Sequence, residues 1–297
     1  MKKIFVILVI AGLFFSMSES FGQINFGEKP QQTIGIRIDE NGIAHVTHEV
    51  IGSSKTTQQV ETIAGTMSNL SVTDVDGNGA QYLTLEKYPI AIVLTPSDNN
   101  MIFIKYDLND VIVSKNGIWT WEWIGIEKTN FYFPDSIDII WINDRPVYIG
   151  EKGIRHHGGQ MTLEYVLDEP VILKKVAWED KKFDVGIRTL TDIDKFEFSQ
   201  PSKSITFDTP ESNSLVTIII PLELLWEPYD VYVNSNKTLN SEFYNNGTHV
   251  WLGFRPDTFG TISIIGTTVV PEFPFVPLVI GISIVLVLQF RNKFNFR

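Results

Sequence analysis

Three oxygen-bearing side chains at alternate positions form a pattern that could bind a metal ion. The run Asp74-Val75-Asp76-Gly77-Asn78-Gly79 begins like a calcium loop, with Asp74, Asp76 and Asn78 at its first, third and fifth positions and glycine at the sixth. The twelfth position, where such a loop carries glutamate, is Leu85. The pattern therefore favours a glycine-containing turn between strands. A weak extracellular calcium site is the alternative, and no other cofactor is predicted.

Three tryptophans at alternate positions could instead bind a ligand by stacking. Trp119, Trp121 and Trp123 would lie on one face of a strand, because successive side chains of a strand point to opposite faces. Such a row is either a platform for sugars or a partner protein, or the inner face of a sandwich. Thr120 and Glu122 would then face solvent, which favours the inner face. We expect the tryptophans to be core residues.

The other residue types give little support for catalysis. His45 and His48 are three residues apart, which places them on opposite faces of a strand. His156 and His157 precede two glycines and predict a solvated loop, since a metal site needs three or four donors. The chain has no cysteine, which excludes disulfides, thiolate catalysis and cysteine-bound metals. Motifs for a serine nucleophile, a zinc protease and a phosphate loop are also absent. We expect no enzyme activity.

Three sequons mark candidate sites of N-glycosylation. They begin at Asn69, Asn236 and Asn246, each in or beside a predicted turn. An exported chain would expose these asparagines to oligosaccharide transfer. The net charge of −11 also agrees with an exported chain, because an acidic surface favours solubility and repels nucleic acid. We therefore expect no nucleic-acid partner.

The elements that position these residues are predicted to be β-strands. Apolar residues alternate with polar ones in many short runs, and turn sequences such as Glu40-Asn41-Gly42 separate them. The runs of the first half are Ile34-Ile36-Ile38, Ile90-Ile92-Leu94, Ile102-Ile104-Tyr106, Trp119-Trp121-Trp123, Ile137-Ile139-Trp141 and Met161-Leu163-Tyr165. This spacing predicts an N-terminal β-sandwich domain over residues 23–178.

A second set of strands follows the charged stretch at residues 179–182. Its runs are Phe183-Val185-Ile187, Phe196-Phe198, Ile205-Phe207, Val216-Ile218-Ile220, Val231-Val233, Val250-Leu252-Phe254 and Ile262-Ile264. Seven short strands in about ninety residues are typical of an immunoglobulin-like sandwich, here without its cysteine pair. The sequence therefore predicts an all-β chain of two β-sandwich domains, the second over residues 179–268.

The first residues have the pattern of a signal peptide. Two lysines follow Met1, and an apolar run extends from Ile4 to Phe15. Small residues at Ser20 and Gly22 predict cleavage after Gly22, and cleavage after Ser18 is the nearest competitor. The alternative is an uncleaved N-terminal anchor. We expect residues 1–22 to direct export.

A second apolar segment lies near the end of the sequence. Residues 273–290 carry no charge and, at about 1.5 Å per helical residue, are long enough to cross a hydrocarbon core. Arg291, Lys293 and Arg297 follow, and basic residues beside a span stay on the cytoplasmic side. We therefore expect one transmembrane helix, a short cytoplasmic tail and an external main body. A buried core helix is the alternative.

The segment before this span carries a recognisable motif. Pro271, Glu272 and Phe273, followed by an apolar stretch and a basic end, resemble the PEF-type C-terminal sorting tails of archaeal surface proteins. The resemblance covers about the last thirty residues and is therefore assigned to residues 269–297. It implies export, glycosylation, attachment to the membrane and processing near the motif by an archaeosortase-like membrane enzyme.

These patterns together predict a non-catalytic protein of the archaeal cell surface, anchored in the cell membrane with its main body outside. Its role would be structural or adhesive, with envelope glycans or envelope proteins as partners. A carbohydrate-binding surface module is the main alternative. A calcium-binding or hydrolytic surface protein is the third, because two carboxylates could meet in a cleft that spacing alone does not reveal.

Overall fold

The computed structural model describes residues 27–98, 100–125, 127–150, 153–178 and 180–267, together with Ser283. Across these residues the chain is all-β and forms several antiparallel sheets, which confirms the predicted class. The strands of the first half are β1 (Gln32–Ile38), β2 (Ala44–Ile51), β3 (Gln58–Glu61), β4 (Met67–Asp74), β5 (Tyr82–Leu85), β6 (Ala91–Leu94), β7 (Met101–Leu108), β8 (Val113–Lys115), β9 (Ile118–Gly125), β10 (Thr129–Tyr132), β11 (Ile139–Ile142) and β12 (Arg145–Tyr148). Those of the second half are β13 (Ile154–His156), β14 (Gly159–Val166), β15 (Val171–Trp178), β16 (Lys181–Arg188), β17 (Asp194–Ser199), β18 (Ser204–Thr209), β19 (Val216–Pro221), β20 (Trp226–Val233), β21 (Asn236–Thr238), β22 (Asn240–Asn245), β23 (His249–Phe254) and β24 (Gly260–Thr267).

Both predicted membrane-associated segments fall outside this part of the chain. The signal peptide at residues 1–22 is not among the described residues, and of the tail at 269–297 only Ser283 is. In the described ranges, no helix combines the length and the apolar character that crossing a bilayer requires. The leader and the anchor therefore stay predictions.

The chain divides into two compact units, and neither is a single continuous stretch. Among the described residues, unit 1 combines residues 27–35 with Val46–Leu108. Unit 2 combines Ile36–His45 with the described residues from 109 to 267. Strands β1 and β2 therefore each contribute residues to both units.

Unit 1 contains a small antiparallel sheet with the order β3-β6-β5, and the antiparallel pair of β4 and β7. All four residues of β6 are buried, as in a strand that is covered on both faces. Along β7 the buried positions alternate, at Ile102, Ile104, Tyr106 and Leu108. This is the periodicity of a strand with one face in the core.

The first element of unit 2 is the turn between β1 and β2. The Asp39 carboxylate Oδ1 accepts the N–H groups of Asn41 at 2.9 Å and Ile43 at 2.8 Å. The N–H of Gly42 donates to the Asp39 carbonyl, and Gly42 has a φ of +76°. Glycine adopts this left-handed conformation without a steric cost, and an aspartate that bonds to the turn amides stabilises it.

The next sheet of unit 2 has the order β12-β11-β14-β9-β8. Strands β9 and β14 pair over eight residues, so two of the predicted runs are direct neighbours. The pairs across the two strands are Trp119–Tyr165, Trp121–Leu163 and Trp123–Met161. Cross-strand pairs of large side chains like these are the main packing unit of an antiparallel sheet.

Strands β15 to β24 form a β-sandwich. One sheet has the order β15-β16-β19-β23-β22 and the other β17-β18-β24-β20-β21. Residues of both sheets share one apolar core, which contains Val185, Ile218 and Leu252 from the first sheet and Phe207 and Ile264 from the second. At roughly 25 cal/mol per Å² of apolar surface, burial on this scale is the main source of stability in a chain without disulfides.

Ion pairs connect the sandwich to the preceding sheet within unit 2. Arg255, which follows β23, binds Asp144 at 2.8 Å and also pairs with Glu164 of β14. Arg188 of β16 binds Asp138 and Glu169, each at 2.8 Å. The predicted domain boundary at residue 179 falls in sequence between β15 and β16, which pair from Trp178↔Lys181 to Val171↔Arg188. Two separate sandwich domains with this boundary stay a prediction.

Candidate binding groove

Two of the three alternating tryptophans lie in the core of unit 2. Trp121 and Trp123 are 3% and 2% exposed. Their ring centroids are 5.2 Å apart and the rings meet edge to face. Phe131 contacts both in the same geometry, at 5.8 and 5.1 Å. Neither indole has a face that a sugar could reach, so this geometry favours the inner-face interpretation over stacking for both residues.

Trp119 is half-buried at the end of the row. Its indole ring stacks on Tyr165, with the ring centroids 6.2 Å apart and the planes 3° from parallel. Gly42 lies against another part of the indole, since a Cβ placed on Gly42 would be 2.2 Å from Cζ3. Tyr165 therefore already covers one face of Trp119, which leaves less of it for a ligand.

The predicted calcium loop forms a tight turn after β4. The Asp74 carboxylate Oδ1 accepts the N–H groups of Asp76 at 3.0 Å and Asn78 at 2.9 Å, and Gly77 has a φ of +81°. The hydrogen bond from the backbone of Asn78 is the main cause that lowers the pKa of Asp74. No group of three histidine, aspartate or glutamate side chains that could hold a metal ion occurs among the described residues. A weak calcium site formed by Asp74, Asp76 and Asn78 stays the alternative to the predicted turn.

Of the two histidines predicted to lie on opposite faces of a strand, one is buried and one is exposed. His48 is buried in unit 1, whereas His45 is exposed. The ring nitrogens Nδ1 and Nε2 of His48 lie 2.9 Å from Gln32 Oε1 and from the Tyr106 hydroxyl. The N–H of Ile63 donates to the same hydroxyl, at 2.8 Å. Burial lowers the pKa of His48 to about 4, so the ring is neutral at physiological pH.

The three sequons differ in their local structure. Asn246 is exposed, and its Oδ1 accepts hydrogen bonds from the N–H and the hydroxyl of Thr248 and from the N–H of His249. These bonds do not involve Nδ2, the atom to which a glycan is attached. Asn236 is exposed at the start of β21, an edge strand. Asn69 lies within a β-bulge of β4, and its Nδ2 donates to Asp107 at 2.7 Å.

The sorting motif Pro271-Glu272-Phe273 lies outside the described residues.

A groove at one end of the sandwich is a candidate site for a ligand. It has a volume of about 570 Å³ and is lined by residues 181–184, 221–223, 226 and 247–249. We call it the Trp226 groove. Phe183, Pro221 and Leu222 are buried and supply an apolar floor. The volume falls within the range of small-molecule sites, which is roughly 300–1,000 Å³.

The rim of the Trp226 groove combines one exposed aromatic ring with polar side chains. Trp226 is 41% exposed. Lys181 Nζ and Glu223 Oε2 are 2.7 Å apart, and both side chains are mostly exposed. The hydrogen bond from Lys181 is the main cause that lowers the pKa of Glu223. Thr248 and His249 complete the rim, with the Thr248 hydroxyl 2.9 Å from Nδ1 of His249.

Backbone hydrogen bonds hold the segments of the groove together. The N–H of Leu222 donates to the Thr248 carbonyl at 2.9 Å, which fixes the loop after β19 to the turn before β23. The hydroxyl of Thr267 donates to the Trp226 carbonyl at 3.1 Å, and these two residues are paired across β20 and β24. The groove is therefore supported by the sheets.

Sequence patterns did not identify this site, because its residues come from four separate segments. The strongest available signal was Trp226 itself. It follows Leu224 and Leu225, which are fully buried, and precedes Glu227 and Pro228. A tryptophan at the point where a buried run becomes polar and reaches a proline indicates an aromatic ring near the surface.

Comparisons with known proteins identify no family. The chain matches no protein-family model. It also matches no curated protein. Among solved structures, an aminopeptidase N family protein from Idiomarina loihiensis is similar over 52% of this chain and 32% of its own, with 7% identity and a TM-score of 0.32. The chain thus spans about a third of that structure, and a similarity at this level carries no argument about fold or function.

Proposed function

We propose that the chain is a non-catalytic cell-surface protein with a structural or adhesive role in an archaeal envelope. In this proposal residues 1–22 direct export, and the segment from residue 269 anchors the chain or is processed by an archaeosortase-like enzyme. The observation that carries it is the tripartite tail, with Pro271-Glu272-Phe273 before an uncharged segment and a basic end. The strand-rich described chain and the exposed asparagines at positions 236 and 246 support it.

The proposal includes a finer description of the fold. The external part would comprise two β-sandwich domains, over residues 23–178 and 179–268, with the second immunoglobulin-like. The shared core of the last two sheets supports a sandwich in the C-terminal half.

Mass spectrometry of the protein purified from its native membrane tests the proposed targeting. We expect a mature chain that starts near Gln23 and ends near the Pro271-Glu272-Phe273 motif, before Pro274, with a lipid-like group attached. An intact C-terminal Arg297 in all of the protein would remove the sorting proposal and leave an ordinary anchor. Protease treatment of intact cells tests the location, because an external chain is cleaved while a cytoplasmic control protein is not.

A carbohydrate-binding module is the second candidate function. The Trp226 groove favours it, because an exposed indole next to an apolar floor and a polar rim suits a sugar ring.

A further inference from the structure

We propose that the Trp226 groove binds a neutral saccharide, with the indole of Trp226 as its stacking surface. A sugar ring has an apolar C–H face and a polar edge of hydroxyl groups, and the groove has an apolar floor below a polar rim. The inference rests on the proposed surface function only in naming a saccharide as the partner. Binding by the purified chain does not depend on where the chain resides in the cell.

The position of Trp226 is unusual for a tryptophan in a sandwich. Leu224 and Leu225 are fully buried, whereas Trp226 is 41% exposed. Its backbone is nevertheless fixed, because the Thr267 hydroxyl donates to its carbonyl and Gly266 packs closely against the same carbonyl. An exposed aromatic ring on a fixed backbone loses little conformational entropy when a ligand stacks on it.

The rim offers both donors and acceptors to hydroxyl groups. Asp184 and Glu223 present carboxylates, which accept, and Lys181 presents an ammonium group, which donates. Nδ1 of His249 is bonded to Thr248, and its Nε2 is the ring atom that this bond does not use. Sugar hydroxyls donate and accept at once, so a rim with both kinds of group suits them.

Charge balance distinguishes a neutral ligand from an anionic one. The groove contains two lysines, at positions 181 and 182, and two acids, Asp184 and Glu223. Lys181 and Glu223 form an ion pair at 2.7 Å, which neutralises one charge of each sign. A site for phosphate or a uronic acid needs an excess of Lys or Arg around the anion. The groove has no such excess, which favours a neutral sugar.

Titration of the full chain with neutral trisaccharides tests the proposal. The probes are maltotriose, cellotriose, mannotriose and N-acetylchitotriose, followed by calorimetry and by tryptophan fluorescence. We expect saturable binding of at least one probe at millimolar concentration or below. Trp226→Ala should weaken this binding about tenfold or more, because it removes the aromatic face on which the sugar ring stacks. Trp226→Leu, which keeps an apolar side chain but no aromatic face, should weaken it to a similar degree.

Phe259→Ala is the matched control, because Phe259 is an aromatic residue of unit 2 with 69% exposure that does not line the groove. Its binding should equal that of the wild type. The proposal is overturned if none of the four probes binds saturably, if both Trp226 variants bind as tightly as the wild type, or if only an anionic probe, trigalacturonate, binds. If the chain is external and processed but binds none of the sugars, only this inference is wrong. If the chain binds a sugar but is found inside the cell, the proposed surface function is wrong and the inference about the groove stands.

Discussion

Gly42 lies directly against the indole of Trp119, at the point where the turn after β1 meets strand β9. A Cβ on Gly42 would be 2.2 Å from Cζ3 and 2.8 Å from Cε3 of the ring. The φ of +76° at Gly42 adds a second restriction, because residues with a side chain rarely adopt it. Two independent physical reasons therefore require glycine at this position.

Gly42→Ala should lower the free energy of unfolding by about 2–4 kcal/mol, as the sum of backbone strain and overpacking against a rigid ring. Chemical denaturation of the full chain measures this change. Gly247→Ala is the matched control, because Gly247 has a φ of +85° but no atom within 4 Å of the added Cβ. It should cost about 1–2 kcal/mol, from backbone strain alone. Equal losses in the two variants would show that contact with Trp119 adds nothing.

Trp121→Ala should destabilise the chain by about 3–5 kcal/mol, because it removes a buried ring from a trio of edge-to-face aromatic contacts and leaves a cavity. Thermal and chemical unfolding measure this loss. Trp226→Ala makes the same chemical change at an exposed position and should leave the melting temperature nearly unchanged. A stable Trp121→Ala variant that loses binding to a sugar would instead support the stacking interpretation of the row.

Removal of Arg255 should be costly because Arg255 pairs with Glu164 of β14 and with Asp144 in the turn between β11 and β12. Glu164 is 8% exposed, and Arg255→Ala would leave its carboxylate buried without this cation. We expect a loss of about 3–5 kcal/mol, as for other broken buried ion pairs. The double variant Arg255→Ala with Glu164→Gln should lose less than the sum of the Arg255→Ala and Glu164→Gln single variants, in a double-mutant cycle. Additive losses would mean that the two side chains are not energetically coupled.

An exposed pair serves as the control for this cycle. Lys181 and Glu223 are 2.7 Å apart, but their side chains are 62% and 69% exposed. Surface pairs of this kind contribute little, because water and salt screen them. Lys181→Ala should therefore leave the unfolding midpoint within experimental error.

The stability of unit 1 should depend on pH through His48. Its pKa is about 4 in the folded chain and 6.5 in the unfolded one, so between these values the unfolded chain binds more protons. Stability therefore rises with pH across this window and is lost as the pH falls from about 6.5 to 4. The loss is at most about 3 kcal/mol, at 1.36 kcal/mol per pKa unit.

Denaturation curves between pH 4 and 7.5 measure this dependence. His48→Gln removes the titrating group, so its stability should fall less steeply with acid, although the variant is less stable at pH 7. A His48→Gln variant with the wild-type slope would exclude His48 as the cause.

The three sequons should differ in occupancy if the chain is exported. All three asparagines are exposed, but only Asn69 has its Nδ2 bonded to a carboxylate, that of Asp107, in a bulged strand. Mass spectrometry of native glycopeptides should find Asn236 or Asn246 modified more fully than Asn69. Asp107→Ala, which frees the Asn69 amide, should raise occupancy there. Unmodified asparagine at all three sites would count against an external location.

Alternation in the sequence was sufficient to predict the strand class and many of the strands. Ile102, Ile104 and Tyr106 are all buried along β7, and Ile262 and Ile264 along β24. The method fails for strands that lack this period. Strands β21 and β22 contain no fully buried residue. A strand with neither face buried leaves no alternation of apolar and polar residues in the sequence.

Long-range contacts account for what the sequence did not predict. Arg255 and Glu164 are 91 residues apart, and the sequence around either residue does not identify the other residue as its partner. The Trp226 groove likewise depends on four segments that only the sheet order brings together. Sequence periodicity reports which face of a strand is buried, and it carries no information about which strands become neighbours.

The discontinuous units have a consequence for the order of events during synthesis. Residues 36–45 leave the ribosome before any other part of unit 2, and the main segment of unit 1, Val46–Leu108, is made next. Trp119, against which Gly42 packs, emerges only afterwards. The earliest residues of unit 2 must therefore wait until another unit has been synthesised, and a loop of that length slows their final docking.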